Sequence, residues 1–572
     1  MSAPRRLLDR LADVPVEAAV GSVAVALADR LGLGADRLID PLVLVPDLVP
    51  IDDDIELDVD SLGQVHELGQ ARTDRRRRGS HYTPADVAGH LVALAQPTGD
   101  RRVCDPTAGG GAFLLAAGRA LERSGVDRHT VVADLLWGAD IDPVAAATCR
   151  TALALWAGRP VPEGRVVEAD TLAGPPPWPG HFDVVVGNPP FLTPLARATA
   201  PDDDRRARLR ARFGDAYGPY VDAAALFLLV GLEVLAPRGR MVLVQPLSFL
   251  AARDAGPVRA RLMTEAPLTG LWVAVDQVFG ASVEVCAPVV ERGSSSATVA
   301  LYRGREVVRV GVSPSPTPDR LAPMAAPLVG IPAVVEPAGR VLGDQADVVA
   351  GFRDEYYAIA AATTEGGAGP RVVTVGRIGP LRLDPDGRPV RVRRRDYTDP
   401  RLDIERLERD DPKVARWLER LLVPKILVAT QTAVLEAVAD PDGTLVPITP
   451  VLAVVPPPDK VWTIAGLLTA PTMSALAAAR TLGSGRHHRV VKLAAREVRQ
   501  LPAAGEGAAW REVARRAEMA QRATTMATWR PAVVATARAA EQALGGAHDE
   551  IVAWWAERLG WSESGAGLHE RR

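Results

Sequence analysis

The sequence is poor in cysteine, with three in 572 residues. Cys104, Cys149 and Cys286 lie too far apart for a CxxC-type zinc site, and three thiols make no disulfide framework. Long apolar runs are missing too: none reaches the roughly 18–20 residues that a bilayer-crossing helix needs. The first residues, Met1-Ser2-Ala3-Pro4-Arg5-Arg6, lead into a charged amphipathic stretch and not into the apolar core of a signal peptide. A cytoplasmic protein without membrane association is the expectation. Charge of one sign is also lacking, since 67 Lys+Arg against 70 Asp+Glu leave a net −3. That balance does not advertise a nucleic-acid partner, but local sign decides phosphate binding, and averages hide it.

What is present is globular: 47% hydrophobic and 24% charged residues, with a length that suggests more than one domain. Charge is patchy. Asp52-Asp53-Asp54 sits in an acidic stretch, Arg75-Arg76-Arg77-Arg78 follows, and Arg391 with Arg393-Arg394-Arg395 comes much later. Val16–Leu33 reads as a helix. From about residue 75 to 302, short β-branched runs alternate with helical stretches, the signature of a parallel α/β sheet. The expected strands are Arg102–Cys104, Leu136–Ala139, Arg165–Glu168, Phe182–Val186, Met241–Gln245, Leu271–Val275, Cys286–Glu291 and Ala297–Tyr302. Helices are expected over Ala112–Glu122, Pro143–Trp156 and Ala223–Leu235. Further strands are expected over Arg371–Val375, Lys425–Ala429 and Val451–Val455. The expected organisation is a helical and acidic segment (1–72), an α/β domain (73–305), a proline-rich linker (306–340), a second module (341–507) and a helical end (508–572).

After the first strand comes Asp105-Pro106-Thr107-Ala108-Gly109-Gly110-Gly111-Ala112-Phe113. Glycines at a strand-to-helix turn let the backbone approach a ligand closely, because no Cβ intervenes. A tight glycine turn with no ligand is the plain alternative. No Gly-Lys-Ser/Thr ending is present, so this is no P-loop, and the charge of Asp105 would repel a pyrophosphate. A carboxylate beside glycines suits a ligand with a positive centre and an ammonium group, such as S-adenosylmethionine. The second strand ends at Asp140-Ile141-Asp142 and the third at Glu168-Ala169-Asp170. An acid in such a place is often only a helix N-cap. Three successive strand tips carrying one, at the carboxyl edge where open α/β sheets bind ligands, point instead to a cofactor. Asp140 is placed to accept from a ribose, and Asp170 from an adenine amino group.

The fourth strand runs into Gly187-Asn188-Pro189-Pro190-Phe191. Asn and Pro are common in turns, yet a plain turn does not explain Pro-Pro-Phe directly behind a buried strand. The prolines stiffen the loop and remove backbone donors, leaving its carbonyls as acceptors. The Asn188 side-chain oxygen and the Pro189 carbonyl can then hold both hydrogens of an amino group, while Phe191 offers a face for a planar base.

These passages, with Gly79-Ser80-His81-Tyr82-Thr83-Pro84 ahead of them, resemble the N6-adenine DNA methyltransferases, and their order matches the γ group of that family. The resemblance implies a Rossmann-like, S-adenosylmethionine-dependent methyltransferase domain, then a C-terminal α+β target-recognition module and a helical tail. It implies that Tyr82, Thr83 and Pro84 contact the methionine part of the cofactor and that Asp105, Pro106, Ala108, Gly109 and Gly111 form its loop. Asp140, with Ile141 beside it, would hold the ribose, Asp170 the cofactor adenine, and Asn188 the target amino group next to the cofactor. Pro189, Pro190 and Phe191 complete the implied catalytic set. Asp140 departs from the pattern, since many relatives carry Glu there. Arg238–Pro246, Pro424–Val428, Gly485–Pro502 and His548–Trp561 resemble later parts of the family more loosely.

The implied reaction is direct in-line methyl transfer, in which positioning and electrostatics are the protein's contribution. None of the three cysteines follows a proline, so the thiolate chemistry of C5-cytosine enzymes is absent. The target adenine would be flipped out of the duplex at a cost of a few kcal/mol, offset by roughly 1–3 kcal/mol of stacking on Phe191. Double-stranded DNA is the implied partner, with a separate restriction or defence subunit, in restriction-modification or phage defence. No structural metal is expected, because His487-His488 has no cysteine or acid at ligand spacing. Asn-Pro-Pro-aromatic also occurs in enzymes acting on rRNA and on protein glutamine, but these lack a second module of this size after the catalytic domain. A non-catalytic DNA-binding subunit is a further alternative, against which the intact asparagine loop and cofactor acids argue. A fused nuclease is not expected, for want of a paired-acid-plus-lysine centre.

Overall fold

A computed structural model describes residues 7, 10, 11, 13–69, 83–192, 202–275, 283–351, 353–384, 389–485, 487–546 and 549–561. Arg75–Arg78, Tyr82 and His548 lie outside the described residues. The chain forms two compact units, Met1–Leu321 and Ala322–Arg572. Among the described residues no single helix is long and apolar enough to cross a membrane.

In the first unit the elements, in chain order, begin with helices α1 (Val16–Leu31), α2 (Asp60–Gly69) and α3 (Ala85–Ala95). Then follow β1 (Val103–Asp105), α4 (Ala112–Arg123), β2 (Leu136–Asp140), α5 (Pro143–Ala157), β3 (Val166–Glu168) and β4 (Phe182–Gly187). The unit continues with α6 (Asp203–Phe213), α7 (Ala223–Val234), β5 (Leu235–Leu243), β6 (Leu268–Val273), β7 (Val285–Glu291), β8 (Thr298–Arg303) and β9 (Val308–Pro314). The strand order is β9-β8-β6-β7-β5-β4-β1-β2-β3, with the short strand Gln245–Pro246 pairing with β7.

Strands β3, β2, β1, β4 and β5 are mutually parallel. Strand β7 runs antiparallel to both of its neighbours, β5 and β6, and β9 antiparallel to β8. The sheet is therefore mixed, and the expectation of a parallel sheet holds for five strands. The proline-rich passage also opens as a strand, with β9 on the sheet edge.

The chain steps from β1 outward through β2 to β3, then returns to lay β4 on the other side of β1. Such a reversal opens a crevice at the carboxyl ends of the two strands, and that is where open α/β sheets take ligands. Here those ends carry Asp105 and Gly187-Asn188.

Local chemistry sets the helices around this crevice. Asp142 caps α5, its carboxylate accepting from Val144 N–H at 3.1 Å, with Pro143 at the first position and left-handed Gly158 at the end. Asp222 caps α7 in the same way through Ala224 N–H at 3.0 Å. Both helices are buried almost all round, which offsets their modest amphipathicity. In the N-terminal acidic stretch, Asp52 and Asp53 pair with Arg10 and Arg30.

The second unit holds β10 (Asp347–Ala350), α8 (Arg353–Ala361), β11 (Thr363–Glu365), β12 (Arg371–Val373), β13 (Val390–Val392), β14 (Arg395–Tyr397) and β15 (Pro400–Leu402). Next come β16 (Lys425–Val428), β17 (Ala437–Asp440), β18 (Leu445–Pro447) and β19 (Leu452–Val455). Its helices include α9 (Val461–Leu468), α10 (Pro471–Arg480), α11 (Ala508–Gln521), α12 (Met526–Ala543) and α13 (Asp549–Arg558). Two small sheets, β10-β19-β16-β17 and β11-β15-β12-β18, and a separate β13–β14 hairpin make this unit α+β. Trp555 on α13 is fully buried, a core residue of this unit.

Candidate active site

The glycine loop is held in place by its neighbours along the sheet edge. Ala108 N–H donates to the Ala139 carbonyl at 2.8 Å, and Thr171 Oγ1 donates to the Pro106 carbonyl at 2.9 Å. The loop is thereby tied to the end of β2 and to the turn after β3. Gly109 and Gly111 have left-handed φ values of +51° and +94°, which glycine adopts without steric cost. Gly110 is needed for a different reason. A Cβ there would sit 2.5 Å from Cα of Gly63, so α2 presses directly on the loop. An ion pair fixes that contact, Arg119 of α4 donating to both carboxylate oxygens of the buried Asp60 at 3.2 and 2.6 Å.

The three strand-tip acids have distinct surroundings. Asp105 is buried, and its Oδ1 accepts from Thr107 N–H at 2.9 Å and from Thr107 Oγ1 at 3.3 Å. Burial pushes its carboxyl up to about 7, against the pull of the Thr107 amide and with help from the nearby Asp140 charge. Asp140 accepts from Gly109 N–H at Oδ2 and Asp142 N–H at Oδ1, both at 2.9 Å, and burial raises it too. It thus shapes the glycine loop and the turn after β2. Ile141 beside it is 56% exposed, an apolar side chain held in the open at a strand tip. Asp170 accepts from Leu172 and Ala173 N–H at 3.2 and 3.0 Å and also pairs with Arg205 of α6 at 3.2 Å.

Asn188 follows β4 directly. Its Nδ2 donates to Oγ1 of the buried Thr83 at 3.1 Å, so the segment matching Thr83-Pro84 meets the asparagine loop. Gly187 ahead of it has no room for a side chain: a Cβ would lie 2.5 Å from Asp105 Oδ1. Pro189 is buried, whereas Pro190 and Phe191 are half-buried, with Phe191 packed on the main core cluster.

The far side of the loop is clamped by Asp222. Its Oδ1 accepts from Leu192 N–H at 3.2 Å as well as capping α7, and burial raises its carboxyl to about 6. Nothing in the sequence marked Asp222, Gly63, Arg119 or Arg205 as part of this site. The only signal at Asp222 was its position just before an apolar helix. All three thiols are buried and pushed up by that burial, so none is a ready nucleophile.

A glycine loop and strand-tip acids on one side of the switch point, and an asparagine-proline loop on the other, define an α/β methyltransferase domain. Residues 58–310 match the family model described as N-6 DNA Methylase. The match begins at α2, the helix that packs on the glycine loop.

Over 306 residues the chain is 28% identical to the Type II methyltransferase M.XhoI of Xanthomonas vasicola, covering 47% of this chain and 52% of that protein. It is also 28% identical over 194 residues to the Type I restriction enzyme EcoEI methylase subunit of Escherichia coli, covering 33% and 36%. The chain thus spans about half the length of the first relative and about a third of the second. Among solved structures, the Type IIL restriction-modification enzyme MmeI in complex with DNA shares the fold, with a TM-score of 0.56 at 14% identity over 91% of this chain and 84% of that one.

Proposed function

We propose that this protein transfers a methyl group from S-adenosylmethionine to the N6 amino group of an adenine flipped out of duplex DNA, within a restriction-modification system. The observation that carries the reading is the Asn188 amide, whose donor end is held by Thr83, so that Oδ1 is its substrate end. An amino group donating to Asn188 Oδ1 and to the Pro189 carbonyl keeps its nitrogen lone pair out of hydrogen bonds and available for attack. Phe191 supplies the stacking face that a flipped base loses on leaving the duplex.

The crevice also fits the cofactor. Left-handed glycines leave a cradle without side chains, Asp105 provides a carboxylate for cationic groups, and Asp140 provides acceptor oxygens for a ribose. The exposed Ile141 would cover an adenine ring. S-adenosylmethionine, when bound, supplies the methyl group on a positively charged sulfonium. Asp170 already accepts from Arg205, so assigning it to the cofactor adenine asks the carboxylate to accept a further hydrogen bond beside that ion pair.

The matching family model is described as N-6 DNA Methylase, and one relative is named a restriction enzyme methylase subunit, which favours DNA over RNA or protein glutamine. That relative is called a methylase subunit, and this supports a separate restriction or defence subunit as a partner. The test is transfer of labelled methyl groups from S-adenosylmethionine to duplex DNA, total RNA and a protein extract in parallel, with Asn188→Ala as the control. Label in DNA that vanishes in the variant is the expected result; label in RNA or protein alone would refute the substrate.

A further inference from the structure

We infer that the β13–β14 hairpin of the second unit is a DNA-reading ribbon that enters the major groove of the substrate duplex. The inference rests on the DNA-methylation reading above and assigns part of the partner contact to named residues. Val390, Val392 and Tyr397 of the hairpin are buried, while Arg391, Arg393, Arg394, Arg395 and Asp396 are exposed. The apolar side chains therefore anchor it in the unit, and the rest presents four arginines against one aspartate. That aspartate lies 3.9 Å from Arg391 with both side chains about two-thirds exposed, a separation and exposure at which the pairing is weak.

The tip is built to project. Val392 pairs with Arg395, so the connection is the two residues Arg393-Arg394, and Arg393 adopts a left-handed φ of +58°. Glycine is the usual residue where a two-residue hairpin needs a positive φ, yet arginine stands here. Two tyrosines of α8 support it. Tyr356 Oη accepts from Arg393 N–H at 3.0 Å, and the Arg393 guanidinium lies 5.1 Å from the centre of the Tyr357 ring. Beside the ribbon is a cavity of about 370 Å³, lined among others by Tyr356, Thr374, Arg391, Gln431 and Thr449.

A two-stranded ribbon fits the major groove, where arginine donates two bonds to guanine O6 and N7 and glutamine reads the adenine edge. Exposed arginines at a rigid tip meet phosphates on the way. The ribbon thus combines both kinds of contact, with Gln431 and the cavity on its flank.

The experiment uses the full chain and fluorescently labelled duplex DNA, with anisotropy read across a series of salt concentrations. Arg391→Ala, Arg394→Ala and Arg395→Ala are combined in one variant. Its Kd for DNA should rise by roughly tenfold or more, and the slope of log Kd against log salt should fall by about 0.9 for each phosphate that is no longer neutralised. Circular dichroism melting and S-adenosylmethionine binding should match wild type. The three Arg→Lys changes should instead keep most of the salt slope and relax the sequence preference of methylation. Unchanged affinity, slope and sequence preference in a variant of a protein that methylates DNA would overturn the ribbon and leave the function standing. A wild-type protein that binds S-adenosylmethionine but neither binds nor methylates DNA would overturn the function, and the ribbon with it.

Discussion

Thr83 Oγ1 accepts a 3.1 Å hydrogen bond from Asn188 Nδ2, joining two residues 105 positions apart in the chain. In the proposed reaction this bond helps to set which end of the amide faces the target base. Without it, the amide loses one restraint against turning its donor end towards the donors of the target amino group. Thr83→Val keeps the shape and removes the acceptor, at roughly 0.5–1.5 kcal/mol for one hydrogen bond. We expect the single-turnover methylation rate to fall about three- to tenfold, and Thr83→Ser to restore it. Equal rates for Thr83→Val and wild type would show that the amide is oriented by something else.

Asp105 predicts a pH dependence with two opposite signs. Its folded-state carboxyl titrates near 7 instead of 3.8, because burial penalises the charge. Its contribution to stability is therefore full below about pH 4 and is lost as pH rises through about 7. Cationic cofactor groups prefer the ionised carboxylate, so S-adenosylmethionine affinity should increase from about pH 6 to about pH 7.5. Calorimetric titration across that range checks both the slope and its loss in Asp105→Asn. An affinity that is flat in wild type would remove Asp105 from the cofactor site.

Gly110 predicts a packing effect separate from backbone strain. Its φ is not left-handed, so alanine is allowed by the backbone, but the new Cβ meets Gly63 Cα at 2.5 Å. Gly110→Ala should therefore cost about 1–3 kcal/mol by overpacking and weaken cofactor binding as α2 is pushed off the loop. Thermal melting with and without S-adenosylmethionine separates the two effects. A variant with unchanged melting temperature would mean that α2 yields freely.

In the second unit, Lys425 and Asp440 are direct cross-strand partners on β16 and β17 and pair in full burial. Burial lowers the Lys425 pKa while the Asp440 charge opposes that shift. Asp440 also accepts from Thr444 and Leu445 N–H at 3.0 and 2.9 Å, closing the turn after β17. Lys425→Ala leaves a buried charge unpaired and should cost about 3–5 kcal/mol. Lys425→Met with Asp440→Asn removes both charges and keeps one of the turn's two acceptor oxygens, so it should recover part of the loss. Urea unfolding measures each; a Lys425→Ala variant as stable as wild type would contradict a structural role for the pair.

The features of the site that were legible in the sequence share a cause, for each is local chemistry at a strand end. The Asp105–Phe113 loop, Asp140-Ile141, Asp170 and Asn188–Phe191 all lie within a few residues of a hydrophobic run whose type is readable. Strand identities were legible on the same ground, though β5 begins at Leu235, ahead of the expected Met241, because its first turns carry Pro237 and Gly239. What lay hidden is pairing at a distance. The antiparallel run of β7 depends on sheet order, which the pattern of a single strand does not encode. The Asp222 clamp joins α7 to the asparagine loop, the Arg205–Asp170 pair joins α6 to the turn after β3, and Gly63 touches Gly110 across 47 residues (110 − 63). Each is an ordinary residue until the fold brings its partner close.

The most direct test of the central claim is nucleoside mass spectrometry of duplex DNA incubated with S-adenosylmethionine and either wild type or Asn188→Ala. Wild type should give N6-methyladenine, and the variant should lose at least about 100-fold of that product, about 2.7 kcal/mol or more of barrier. N6-methyladenine at equal yield from both proteins would contradict the role of Asn188. A different methylated base from wild type would contradict the assignment of the substrate.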